Sequence, residues 1–317
     1  MKGIQKAGRL SAACMWILLV VSGSDGRAGD KPGLRVADST QVQILEMDDG
    51  STLMGRILEI GAESVLFKSG LGTNSIRIEN IRSVREVPAE KVRQGKYWFP
   101  NPNATRLFFS PTGRMLEKGE KYFADYYIFF PAFNVGIVDQ FSIGGGFSLI
   151  PGVDLNQQLW YLTPKFGIAM SEKVNFAAGA LIIKLPDVDD SDGNGDIENP
   201  DEGDGDWFDE PTTVGILYGV GTYGSPDASL TLGLGFGYAD SKVAEKPLIL
   251  LGGEKRLSRR LAFVSENFVF PGMDNPLASY GLRFFGENLS IDLAFFSLLG
   301  EGPGFPGMPY IDFMIKF

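Results

Sequence analysis

The densest chemistry in the chain lies in twelve residues, "DSDGNGDIENPD", running from Asp190 to Asp201. Asp190, Asp192, Asn194, Asp196, Glu198 and Asp201 set side-chain oxygens two or three positions apart, and Gly195 allows a sharp turn among them. Carboxylate oxygens at this density suit a hard divalent cation better than a soft one. The rest of the usual catalytic and metal-binding inventory is missing. The chain has no His, and its one Cys is Cys14. That removes the common general base of Ser/His/Asp and Cys/His chemistry and the commonest zinc ligand, so a protein that is not an enzyme is expected.

Set against the pattern D-x-[DN]-x-[DN]-G, Asp190, Asp192 and Asn194 take the first three oxygen positions and Gly195 the turn. Asp196 falls on the backbone-carbonyl position, Ile197 on the apolar one, and Glu198 and Asp201 on the last two ligand positions. The stretch resembles an EF-hand-type loop, which implies Ca²⁺ as a cofactor. It departs from that pattern in ending on Asp rather than Glu, in Pro200, and in having no amphipathic helix on either side. A solvated acidic loop is the alternative. Residues 187–210 hold twelve Asp and Glu and no Lys or Arg, so the net charge of −10 belongs to this loop and the remainder of the chain stands at +2.

A second set of charges lies on segments of alternating polarity, on the parity opposite to the apolar side chains: Arg106, Asp125, Lys165, Arg283, Asp292, Asp312 and Lys316. A charge facing lipid at mid-depth costs a few kcal/mol, so these seven are assigned to an interior. There they either form salt bridges or line a narrow water path.

The elements that must position them read as strands. In "SLTLGLGFGY", Leu230, Leu232, Leu234, Phe236 and Tyr238 alternate with Ser229, Thr231, Gly233, Gly235 and Gly237, a period of two that no helix keeps. The same rhythm recurs in "FSIGGGFSL", "LWYLTPKFGIA" and "LSIDLAFF". Twelve such segments are expected: 104–110, 122–137, 141–150, 158–169, 173–184, 213–223, 228–239, 247–257, 260–270, 278–286, 288–298 and 308–317. Short turns at Asp139-Gln140, Ser171-Glu172, Ser225-Pro226, Ser258-Arg259 and Gly286-Glu287 alternate with longer connections, 185–212 the longest. An even-stranded antiparallel barrel with both ends on one side shows that alternation. Closure would leave no unpaired edge amide in lipid. Gly on the inner parity would leave bare wall, either for sheet curvature or for a ligand or inserted loop.

Other regions complete the division. Residues 1–28 read as a secretory signal: Lys2, Lys6 and Arg9, an apolar run from Leu10 to Val21, and a small-x-small site at Gly26-Arg27-Ala28, with Ser22-Gly23-Ser24 as a second possible cut. Residues 29–40 are a leader. Residues 41–90 hold five short β-rich runs broken by Asp49-Gly50, Gly61, Gly70 to Gly72 and Asn80. Residues 91–103, with "YWFPNPN", are a linker, and 104–317 form the barrel. Tyr97, Trp98, Tyr122, Trp160, Tyr161, Trp207, Phe208, Tyr238 and Tyr310 are candidates for interfacial girdles.

Two resemblances follow from these residues. The strand, DG turn, "G-R-I" and later "I-R-I-E-N-I" of 41–90 are similar to Sm-like or SH3-like small barrels. An Sm-like likeness brings RNA to mind, but residues 41–96 carry eight acidic and eight basic side chains, so no nucleic acid is expected. A periplasmic protein is the partner expected of 41–90. The closing "YIDFMIKF" resembles the aromatic-ended last strand of Gram-negative outer-membrane β-barrels. That resemblance implies the cell outer membrane as location, its lipids and the barrel assembly machinery as partners, and Tyr310, Phe313, Ile315 and Phe317 as the assembly signal. The fold expected is all-β: about twelve transmembrane strands preceded by a small β-barrel domain. The function expected is porin-like passage of a small solute, ligand binding or surface display. A soluble exported lipocalin-like binder and a barrel-embedded lipid-modifying enzyme are the alternatives.

Overall fold

In the computed structural model the described residues are 33–186, 213–300 and 305–317. The signal segment and the Asp190–Asp201 loop lie outside them, as do Trp207 and Phe208. The chain divides into two units, which meet at Trp98 and Phe99 in sequence.

The first unit is a five-stranded antiparallel sheet of β1 (Gln41–Met47), β2 (Thr52–Ile60), β3 (Ser64–Ser69), β4 (Gly72–Arg77) and β5 (Ile81–Pro88), in the order β4-β3-β2-β1-β5. The DG turn joins β1 to β2, with Gly50 at φ 80°. Alternate residues Leu45, Ile57, Val65, Phe67, Ile76 and Ile81 face one core. Gln43 is buried among them and satisfied: its side chain donates to Arg35 O at 2.8 Å and accepts from Ile57 N at 2.8 Å. The expected linker is divided. Val92–Arg93 pairs with Lys96–Tyr97 inside this unit, and residues from Phe99 onward belong to the second.

The second unit is a closed twelve-strand antiparallel barrel. Its wall strands are β6 (Lys121–Tyr126), β7 (Phe130–Val138), β8 (Phe141–Phe147), β9 (Trp160–Leu162 and Lys165–Ala169), β10 (Val174–Lys184), β11 (Thr213–Ser225), β12 (Ala228–Ala239), β13 (Leu248–Ser258), β14 (Leu261–Val269), β15 (Leu277–Phe285), β16 (Leu289–Leu298) and β17 (Met308–Lys316). Each pairs with the next, and β17 closes on β6 from Lys316↔Tyr122 to Asp312↔Tyr126. The two halves of β9 flank Pro164, which has no amide hydrogen to give a ladder.

The number twelve was expected, but two of its strands are not where the sequence placed them. Residues 104–110 are not wall; they run through the lumen. The expected strand 122–137 is two strands, β6 and β7, joined by a tight turn in which Tyr127 and Ile128 stand at φ 53° and 69°. No Gly or Asn marks that turn, so the aromatic run read as continuous. The five short turns occur where expected.

The outer face is apolar. Leu230, Leu232 and Leu234 are 52%, 55% and 54% exposed, whereas Thr231 between them is fully buried. Ile249, Leu251, Phe263, Phe284, Leu293 and Ile311 continue the exposed apolar surface on neighbouring strands. Such a surface is far larger than a water-soluble monomer tolerates and has the character of a lipid-facing belt. The lipocalin-like alternative, which needs the opposite orientation, fails on this point.

Candidate functional site

The lumen is filled from within by residues 99–117. Thr105–Thr112 form a tight hairpin: Leu107 N donates to Ser110 O at 2.8 Å, Thr112 N to Thr105 O at 2.9 Å, and Arg106 bridges Pro111. Pro100, Pro102 and Pro111 unsuit this stretch for a ladder, and Leu107, Phe108 and Phe109 in succession break the period of two. Those were the signals that it is not wall. Its apolar tip packs Leu107 and Phe108 against Val264, Ala294, Phe296 and Tyr310. Gly113 lies so close to the wall that a Cβ there would stand 2.3 Å from Asn175 O, and its amide donates to Thr222 Oγ1 at 2.8 Å.

Ionic side chains of the wall hold the hairpin by its backbone. Arg283, fully buried on β15, donates twice to Asp292 at 2.7 Å and once to Glu254 at 2.8 Å. Its remaining donor capacity goes to the carbonyls of Leu107 at 2.6 Å, Asn103 at 3.1 Å and Arg106 at 3.4 Å. Glu266 on β14 does the converse: one oxygen accepts from the amides of Phe108, Phe109 and Ser110 at 2.8, 3.1 and 3.2 Å. Arg106 of the hairpin pairs with Asp312 at 2.8 Å, and Tyr310 donates to the same carboxylate at 2.6 Å. Charge-assisted bonds of this kind are the strong ones, and a buried carboxylate or guanidinium is tolerable only when so partnered.

Between the hairpin and the β6–β13 side of the wall lies a cavity of about 230 Å³. Leu181, Ile216, Leu248, Leu250 and Phe268 give it an apolar side; Tyr122, Tyr126, Tyr161 and Tyr218 give it a phenolic one. Two polar groups matter for a ligand. Lys165 Nζ, at the cavity, donates to Arg114 O at 2.6 Å and Thr105 O at 3.3 Å. Tyr161 Oη is buried and has no hydrogen-bond partner among the described residues. An unpartnered buried hydroxyl and an amine lining one cavity that also has an apolar side are a set of groups that would accept an amphipathic anion.

Of the residues assigned to the interior from sequence, Lys165, Arg283, Asp292 and Asp312 are buried on wall strands. Arg106 is inside too, but on the hairpin rather than on a strand. Lys316 lies at the end of β17, paired with Glu120 at 2.7 Å. Asp125 is a correction. On β6 the buried parity is Tyr122 and Ala124, so Asp125 shares the outer face with its cross-strand partner Phe313 and accepts from Phe130 N at 3.2 Å. Even-numbered residues face inward on β6 and β7 alike, and Asp125 avoids a bare charge on the outer parity by its place at the end of β6, where the amide of Phe130 beyond the turn donates to it. Glu254 and Glu266, outside those seven, are luminal as well. Among the girdle candidates, Tyr122, Tyr161 and Tyr310 face the lumen, while Trp160 is exposed. Tyr97 and Trp98 belong to the first unit. Of the expected assembly signal, Phe313, Ile315 and Phe317 lie on the outer parity and Tyr310 on the inner. The loop ligands Asp190, Asp192, Asn194, Asp196, Glu198 and Asp201 lie outside the described residues.

No family model and no curated protein matches the chain. Among solved structures it is similar to OmpT with loop L8 deleted, an outer membrane protein of Vibrio cholerae, at 11% identity and a TM-score of 0.32, covering 88% of this chain and 97% of that one. Outer-membrane expressed OmpT of Vibrio cholerae matches at 11% identity and 0.32, with 89% and 100% covered. OprD of Pseudomonas aeruginosa matches at 8% and 0.32, with 87% and 92% covered. Likeness at this level carries no argument about activity.

The expectation that the protein is not an enzyme is withdrawn. The exclusion rested on the lack of His, yet the lumen gathers Glu254, Glu266, Asp292, Asp312, Lys165 and four cavity tyrosines. Carboxylates, amines and phenols serve as acids and bases without imidazole.

Proposed function

We propose that the protein is an outer-membrane β-barrel that binds a small amphipathic anion, such as an aromatic or short-chain carboxylate, in its lumen and controls its passage with the 99–117 segment. The observation that carries this reading is the cavity itself: apolar side chains, Lys165 and the unpartnered hydroxyl of Tyr161 line it, and hairpin residues Thr105, Arg106, Phe109, Ser110 and Pro111 form its inner border. The apolar outer belt supports a membrane location. With it go export by residues 1–28, a periplasmic first unit in contact with another protein, insertion by the barrel assembly machinery, and Ca²⁺ in the Asp190–Asp201 loop.

The test is equilibrium binding of benzoate and hexanoate to the full chain in detergent. Lys165→Met is expected to weaken binding at least tenfold. Tyr161→Phe is expected to weaken it severalfold, in line with a hydrogen bond worth about 1 kcal/mol. Absence of binding at millimolar ligand, or equal binding by Lys165→Met, would refute the reading.

A further inference from the structure

We propose that the barrel wall is open sideways at the seam between β17 and β6, and that small apolar molecules exchange through this opening between the luminal cavity and the surrounding lipid, with the ring of Phe109 as its shutter. The proposal rests on the membrane location above but not on ligand binding by Lys165.

The seam is short. β17 has nine residues and β6 only six, and their pairing stops at Asp312↔Tyr126 with one further bond, Tyr127 N to Ile311 O at 2.9 Å. Beyond it Met308, Pro309 and Tyr310 pair with β16 alone; no strand among the described residues takes their other edge. Residues two apart on a strand point their backbone groups the same way. Because Ile311 O faces the seam, the nitrogen of Pro309 faces it too. Proline has no N–H, so the open edge at this position leaves no donor to satisfy, which lowers the cost of an unpaired edge in an apolar surround.

The turn that ends β6 is held against its preference. Tyr127 and Ile128 both have positive φ, and for a β-branched residue the left-handed region is disfavoured. The chain leaves the seam here instead of continuing along β17. Ile128 and Phe129 on this turn are 63% and 42% exposed, an apolar rim suited to lipid.

Phe109 stands behind that rim. Its ring centroid is 4.7 Å from Tyr310, 5.8 Å from Tyr126 and 6.3 Å from Tyr127, the residues on the two sides of the seam. It is 44% exposed, whereas Leu107 and Phe108 beside it are fully buried, and it also lines the cavity. Its amide is fixed by Glu266, so the side chain can swing while the backbone stays. The ring of Phe109 therefore borders the cavity that Leu250 and Phe268 line and at the same time packs on both sides of the seam.

The experiment uses the full chain in phospholipid vesicles. An apolar photoprobe, trifluoromethyl-phenyldiazirine, is dissolved in the bilayer, and a sulfonated analogue is supplied in the water in a parallel sample. Labelled residues are mapped by mass spectrometry. The apolar probe is expected to mark outward Leu232 and Leu293 and also luminal Leu250 and Phe268, and Phe109→Ala is expected to raise the luminal share severalfold. Marking of the outer face alone, in the wild type and in the variant, would overturn the proposal. So would luminal marking by the sulfonated probe only. If even Leu232 and Leu293 stay unmarked, the membrane location fails and the exchange with it. Heat-modifiable gel migration checks that Phe109→Ala is folded; should it not be, marking of the wild type decides alone.

Discussion

Replacing Arg283 by Met should unseat the luminal hairpin while leaving the barrel standing. The substitution keeps much of the apolar stem and removes a guanidinium that serves Asp292, Glu254 and the carbonyls of Asn103, Arg106 and Leu107. Glu254 keeps Asn101 at 2.7 Å, but among the described residues Asp292 has no side-chain hydrogen bond other than those from Arg283. Removing one member of a buried ion pair costs about 3–5 kcal/mol, because the remaining charge is stranded. Converted at 1.4 kcal/mol per decade, the ratio of seated to unseated hairpin falls by about 100- to 4,000-fold. Hydrogen exchange at the amides of Phe108, Phe109 and Ser110, which donate to Glu266, reads this ratio directly. Single-channel conductance in a planar bilayer should rise in parallel. Glu266→Gln should act in the same direction with a smaller effect, since a neutral acceptor replaces a charged one without stranding a partner. The reasoning is refuted if Arg283→Met leaves those amides as protected as in the wild type. It is refuted equally if the wall amides of β12 and β13 lose protection to the same extent.

Further outcomes are expected elsewhere in the chain. Gly113→Ala places a Cβ 2.3 Å from Asn175 O and 3.1 Å from Thr222 N, backbone atoms that cannot swing aside, so it should raise exchange of the hairpin amides without changing the wall. Leu232→Arg puts a charge on the outer belt and should cost about 2–4 kcal/mol of folding in vesicles if that site is at the midplane; unchanged folding yield would contradict the lipid-facing assignment. In the first unit, the hydrogen bond from Arg35, assisted by its charge, holds the Glu86 carboxyl below its ordinary 4.5. A depressed carboxyl contributes stability that is present above pH 4.5 and lost as pH falls through the folded value. Arg35→Met should therefore move the Glu86 titration upward in a carbon-detected NMR experiment and remove that part of the acid sensitivity. Calcium titration of the full chain by calorimetry should give heat that Asp190→Asn and Asp192→Asn together abolish; none at millimolar Ca²⁺ refutes the loop reading.

The sequence by itself determined the wall. Period-two alternation in stretches such as Leu230–Tyr238 fixes which side chains share a face, because successive residues of a strand point to opposite sides whatever surrounds them. It therefore settled the β class, ten of the twelve wall strands and the five short turns. The five strands of the first unit were legible for the same reason. Only the tertiary structure decided what fills the lumen. Residues 99–117 carry no periodic signal, and their conformation is set by partners more than a hundred residues away, Glu266 and Arg283 above all. The division of 122–137 turned on a positive-φ turn at Tyr127 and Ile128 that no residue type announced, and that turn brings the Phe130 amide to Asp125 on the outer parity. The cavity and the short seam likewise arise from strands distant in sequence, since a bare edge or an unpartnered hydroxyl is defined by what does not reach it in space.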